Sequence, residues 1–350
     1  MNNWRNAALT AVLPPLVAIL IALVAGDLLI IFYGQQPINV WKMLLEGTWG
    51  NGYGFGQVLY KATTLTFTGL AVSIGLRAGL FNIGAESQLA AGGFAAAAVG
   101  LLFPAAFPGI IVALVCILAA AAAGGFAGAI PGWLKARFGA HEVIVTIMLN
   151  FVILALLNWI IANHIHVPET LHTPPMETGF LGRLANFASL FHGSAANLAL
   201  VLAIIIAVAL WYYLFRTRGG YELRAVGLQP KAAEYGGINV KATWIKAMAL
   251  SGALAGIGGV NYVLGYKHYY EEGFAGGSGF LGIAVALVGR NHPIGVMLAA
   301  LFFATLSQGG LAIHAMVPKQ IVDILQGIVI IAVAVSVPEL RRVIAKGGAR

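Results

Sequence analysis

Asn82, Glu86 and Gln88 interrupt an apolar stretch, "GLFNIGAESQ", residues 79–88. An acid four residues after an asparagine, at the mouth of an apolar run, has two chemistries open to it. If a helix begins near Asn82, the amide caps it. Glu86 then lies just beyond the first turn, where unpaired N–H groups and the helix dipole favour an anion. In that case Glu86 is a buried clamp on a neighbouring loop. The other chemistry is lining a path for a polar solute, although a fixed charge serves a neutral solute poorly. Asn150 and Asn158, in "MLNFVILALLNW", are eight residues apart and share a helix face, so they either bond a neighbouring helix or meet a solute. Phe280, after "GGSG", completes the set of path or helix-break candidates.

The other reactive residues have plainer explanations. Glu142 opens a helix at the inner face, Asp323 follows Lys319 by four residues, and Asp27 ends the first apolar run near water. His164, His166 and His172 lack the spacing of a metal set, and the single Cys116 lies in an apolar run. No phosphate-cradling G-x-x-x-x-G-K-[ST], H-E-x-x-H or G-x-S-x-G occurs. We therefore assign no catalytic residue, metal ligand or bound cofactor.

The elements that position these residues are membrane helices. Sixty per cent of the 350 residues are hydrophobic and 9% are charged, against about 25% charged in an average soluble domain. Mean hydropathy is +0.88. The net charge of +8 is scattered at the ends of apolar runs rather than striped with aromatics, which argues against nucleic acid. Windows of about 20 apolar residues predict spans near 8–32, 57–76, 82–101, 107–132, 142–162, 197–215, 243–264, 276–289, 293–314 and 319–337. The run from Ala7 to Phe32 exceeds a signal-peptide core, so it is expected as a retained first helix.

Ten spans put both termini on one side. With the N-terminus inside, the inner loops carry Arg5, Arg77, Lys135, Arg137, Arg216, Arg218, Arg224, Lys231, Lys241, Arg290, Arg341, Arg342, Lys346 and Arg350. The outer loops carry Lys42, Lys61, Arg183, Lys267 and Lys319. The imbalance fixes the orientation with both termini cytoplasmic.

Two loops are longer than a turn. The outer one, 163–196, is a surface loop suited to an extracytoplasmic partner. The inner one, 216–241, contains "PKAAEYGG", a two-turn helix with proline at its start and glycine at its end. A helix so short needs a partner surface. The stretch "GLFNIGAESQLAAGGFAAAAVG" followed by "FPGI" has a counterpart in "EGFAGGSGFLGIAVALVGR" followed by "HPIG". Falling after two and after seven spans, the copies point opposite ways, as in inverted repeats with broken helices. These considerations predict an all-α integral membrane protein of about ten helices, one permease domain over 1–350 with a first repeat at 57–162 and a second at 243–337. Glycine pairs at 75/79, 124/128, 252/256 and 273/277 are expected in close helix packing.

"GLFNIGAESQLAAG", "HEVIVTIMLNF", "YELRAVGLQPKAAEYGGINV", "SGALAGIGG" and "GFLGIAVALVGRNHPIGV" together resemble the permease subunits of bacterial ABC importers. The group is the one shared by ribose, branched-chain amino acid and nucleoside systems, and the likeness is closest to the nucleoside and simple-sugar type. The resemblance implies a plasma (inner) membrane permease moving a nucleoside or sugar-like solute inward by alternating access. It also implies a cytoplasmic ABC ATPase subunit that uses ATP and Mg, a second related permease or a second copy, and an extracytoplasmic solute-binding protein. Under it, Gly227, Leu228, Gln229, Pro230, Lys231, Ala232, Ala233, Glu234, Tyr235, Gly236 and Gly237 are the helix that couples to the ATPase. The alternatives are a sugar or amino-acid permease, or an ion-coupled secondary transporter. Relatives usually carry an acid where Leu281 stands.

Overall fold

The computed structural model describes residues 20–332 apart from 22, 192, 315 and 319. The parts of the expected first and last spans at 8–19 and 333–337, and Lys319 with its expected pairing to Asp323, lie outside the described residues.

Among the described residues the chain is helical and has no strand beyond two isolated bridges. The helices are α1 Leu23–Phe32, α2 Pro37–Thr48, α3 Gly52–Arg77, α4 Ala85–Gly100, α5 Gly109–Phe138 and α6 Glu142–Ile165. They continue as α7 Ala199–Arg216, α8 Arg218–Leu228, α9 Pro230–Tyr235, α10 Val240–Lys267, α11 Ser278–Val288, α12 Pro293–Ala312 and α13 Gln320–Ala332. Five of these, α5, α6, α7, α10 and α12, are both long and apolar enough to cross a bilayer. The all-helical, multi-pass character expected from composition is thus present.

Two helices were not anticipated. In α2, Val40, Leu44 and Thr48 are buried at four-residue spacing behind a proline at the first turn, so it is an amphipathic helix. In α8, the Thr217 hydroxyl accepts the Gly220 N–H at 3.2 Å and Arg218 pairs with Glu222 at 2.8 Å. A cap and an i,i+4 ion pair stabilise this short helix, which buries Gly220, Leu223 and Val226 on one face.

The chain divides into two packed units, one of residues up to Val58 with those from Phe302 onward, the other Leu59–Leu301. In the first, Ile30, Val40, Leu44, Leu306, Ile313 and Leu325 form a core. Asp27, expected near water, is partly exposed and accepts the Trp41 indole N–H at 2.7 Å.

The second unit is built on α4, α5 and α10. A Cβ on Gly252 would lie 2.1 Å from the Gly124 carbonyl oxygen, and one on Gly256 2.3 Å from that of Ala120. One on Gly92 would lie 2.3 Å from Gly256 Cα. These glycines let three backbones touch, the arrangement favoured in lipid, where close packing replaces the hydrophobic effect. Cys116, Val260, Leu264 and Tyr270 fill the core at one end.

The long loop after α6 packs on the segment before α11. Thr173 N–H donates to Tyr270 O at 2.9 Å, Met176 N–H to His268 O at 2.8 Å, and Glu272 N–H to Leu171 O at 3.0 Å. His172 stacks on Tyr269 with centroids 4.4 Å apart. Among the described residues no group of three or more metal-ligating side chains forms.

Candidate translocation and coupling site

The first helix break spans 78–84, between α3 and α4. The helix begins at Ala85, with Gly84 and not Asn82 in the capping position. Asn82 is fully buried and organises the break: its Oδ1 accepts Gly84 N–H at 2.9 Å, and its Nδ2 donates to Gln88 Oε1 and Ser251 Oγ, both at 2.8 Å. Ser251 Oγ in turn donates to the Ala71 carbonyl at 2.6 Å. The open N–H groups of α4 are served from another helix, since Asn150 Oδ1 on α6 accepts Ser87 N–H at 3.1 Å. Asn150 Nδ2 donates to Ile83 O at 3.0 Å.

The second break spans 268–277, before α11. Gly273 and Gly277 have φ of +75° and +82° with open space where a Cβ would stand. These two glycines serve left-handed turns, not the helix packing expected of them. Gly277 N–H and Gly279 N–H donate to the two carboxylate oxygens of Glu86, at 2.8 and 2.6 Å. A Cβ on Gly279 would lie 2.2 Å from Glu86 N, so the first turns of α4 and α11 touch. Two positive helix ends converge on one buried carboxylate, which satisfies both the orphan N–H groups and the dipoles. Asn158 donates to Glu272 and Tyr262 to Glu271, so α6 and α10 hold the two acids of the break. Thr68 Oγ1 on α3 donates to Ser278 O at 3.0 Å.

Of the path candidates, Asn82, Glu86, Gln88 and Asn150 are therefore buried and bonded to protein. Phe280 is half exposed, next to Gly279, and Leu281 follows it in the first turn of α11.

The segment 217–238 forms α8 and α9. Leu228 is 85% exposed and Tyr235 97%, while Val226, Ala233 and Val240 are buried under them. A concavity of about 470 Å³ lined by Tyr221, Ala225, Gln229 and Ala232 runs between the two helices. A Cβ on Gly227 would sit 2.0 Å from the Arg77 carbonyl oxygen, and one on Gly79 3.2 Å from Gly227 Cα. The end of α8 thus rests on the first helix break, a contact that sequence reading missed.

A family model described as "Branched-chain amino acid transport system / permease component" matches residues 54–334. The guanosine ABC transporter permease protein NupP of Bacillus subtilis is 38% identical over 94% of this chain and 94% of its own length. The nucleoside ABC transporter permease protein NupB of Lactococcus lactis is 34% identical over 96% and 93%. The glucose ABC transporter permease protein TsgB13 of Haloferax volcanii is 31% identical over 91% and 85%. No solved structure matches. With apolar helices, broken membrane segments and a match over most of its length, the chain belongs to the branched-chain amino acid transport system permease family.

Proposed function

We propose that the chain is the membrane permease of an ATP-driven importer, carrying a nucleoside into the cytoplasm. It spans the plasma membrane about ten times with both termini inside, and its two repeats, 57–162 and 243–337, are inverted. The near full-length likeness to guanosine and nucleoside permeases supports the cargo. The broken helices support it too: in a transporter whose helix ends receive an anionic cargo, those ends are left open, whereas here Glu86 fills them, which suits a neutral solute. A sugar cargo is the second reading, on the likeness to a glucose permease. Phe280 faces the path, while Asn82, Gln88, Asn150 and Asn158 hold the breaks that border it.

ATP and Mg belong to a separate cytoplasmic ATPase that docks on residues 227–237. A second related permease and an extracytoplasmic binding protein, meeting the loop 163–196, complete the assembly. The observation that carries the docking is the exposure of Tyr235 on a six-residue helix, too short to stand alone in water. Aromatic side chains of this kind anchor interfaces.

The test is uptake of labelled guanosine into proteoliposomes by the chain assembled with its ATPase and binding protein. ATP-dependent uptake is expected, and reversal of charge at both Lys231 and Glu234 should leave ATP hydrolysis running while uptake falls. Uptake by the chain alone under an ion gradient, without ATP, would refute the proposal.

A further inference from the structure

Phe215, near the end of α7, meets two guanidinium groups. Arg77 Cζ lies 5.4 Å and Arg224 Cζ 5.3 Å from its ring centroid, and His292 stacks on the same ring at 5.5 Å. These residues come from the end of α3, α7, α8 and the turn before α12. Arg77 Nε donates to Asn291 O at 2.9 Å, tying the break before α4 to that turn. Among the described residues no carboxylate pairs with Arg77 or Arg224.

Two polar atoms in this cluster are buried without a hydrogen-bond partner: the donor Arg224 Nε and the acceptor Asn291 Oδ1. A buried orphan is costly, and native folds retain few. Here the two are complementary. Asn291 also sits at φ +54°, directly after Arg290 at +56°, a left-handed pair of non-glycine residues that stores strain. Arg224 lies one helical turn from Gly227, the residue of α8 that rests on the Arg77 carbonyl.

We infer that Arg224 and Asn291 are positioning residues for transport: they form a hydrogen bond, open in this state, that closes when the ATPase moves α8 and α9. The inference rests on the docking of an ATPase at 227–237. One displacement of α8 then acts on both repeats. It moves Gly227 against the break before α4, and it carries Arg224 across Phe215 toward the turn that starts α12. Such a two-state contact is the physical element that coupling requires, since only a difference between states can be driven.

Arg224→Cys and Asn291→Cys in a Cys116→Ala chain, assembled with its ATPase in proteoliposomes, provide the test. A bis-methanethiosulfonate with a butane spacer, which replaces the reach of the arginine side chain that a direct disulfide would lack, should cross-link the pair about fivefold or more better in the ATP–orthovanadate state than at rest. Equal yields in the two states overturn the inference. The backbone strain is kept apart from the acceptor by two further variants, because aspartate and glycine both tolerate a left-handed φ. Asn291→Asp, the same shape but charged, should strengthen the closed contact with Arg224 and raise ATP hydrolysis without cargo. Asn291→Gly should lower ATP-driven guanosine uptake about tenfold, with the amount of assembled complex unchanged. If both variants behave as the parent does within an assembled complex, the inference is wrong while the docking stands. If the parent chain does not bind an ATPase at all, the docking reading fails and the inference falls with it.

Discussion

Glu86 Oε2 accepts the backbone N–H of Gly279 at 2.6 Å, joining the first turn of α4 to the first turn of α11 across 193 positions of sequence. With Oε1 on Gly277 N–H, a single carboxylate closes the start of a helix that has no cap of its own. It is a cap supplied in trans, and it makes the two broken helices depend on each other.

Glu86→Ala should accordingly cost assembly before it costs selectivity. The buried Gly279 N–H loses a charged acceptor, at about 1–3 kcal/mol, and the part-buried Gly277 N–H loses one at a smaller cost. The expected result is a lower thermal midpoint and less folded protein in detergent, with Glu86→Gln intermediate because one acceptor oxygen remains. Wild-type stability in Glu86→Ala, with altered cargo preference, would return the residue to the path.

The glycine seam makes a sharper contrast. Gly252→Ala places a methyl group 2.1 Å from the Gly124 carbonyl oxygen, a backbone atom that cannot step aside. Overpacking of this kind typically costs about 1–3 kcal/mol and occasionally more. Gly327→Ala meets open space and should stay within about 0.5 kcal/mol of the parent. Melting curves of the two variants, side by side, check the difference.

Gly227→Ala tests the contact between α8 and the first break. Its Cβ would meet the Arg77 carbonyl at 2.0 Å, so α8 must lift from the break. Uptake should fall while the ATPase stays bound, because Leu228 and Tyr235 remain exposed. Loss of ATPase binding together with uptake would mean that Gly227 shapes the docking surface itself.

His292 makes stability depend on pH. Burial, and then the nearby Arg77 charge, hold its pKa below the ordinary value. Above about pH 6.5 both folded and unfolded rings are neutral and the stability is fully present. As pH falls, the unfolded chain takes up its proton first, and stability is lost through the lower folded pKa. The thermal midpoint should fall more steeply in the parent than in His292→Gln between about pH 7.5 and about pH 5. Parallel curves would show that another group governs the acid limb.

The helical class was legible because runs such as 109–138 are apolar enough to identify themselves without tertiary information. An acid in the first turn of α4 was legible because helix ends attract acids wherever they occur, yet the sequence left clamp and path lining both open, and nothing local names Gly277 and Gly279 as its partners. The role of Asn82 was misplaced by two residues, because an asparagine that folds a turn over Gly84 and one that caps a helix look alike in sequence. The glycine pair 273/277 has the same spacing as 252/256. A missing side chain serves a left-handed turn and a tight helix crossing equally well, and only the fold separates them. The contact of Gly227 with Gly79 was invisible for the same reason: two absent side chains leave no pattern.

Where α4, α5 and α10 meet at Gly92, Gly124, Gly252 and Gly256, no side chain separates the backbones. A joint that refuses even one methyl group has no slack to rock, so neither cargo nor lipid passes through it. For anyone measuring motion, these three helices are the keel. A spin label or fluorophore on their lipid face gives the stationary reference against which every moving part of the transporter can be timed.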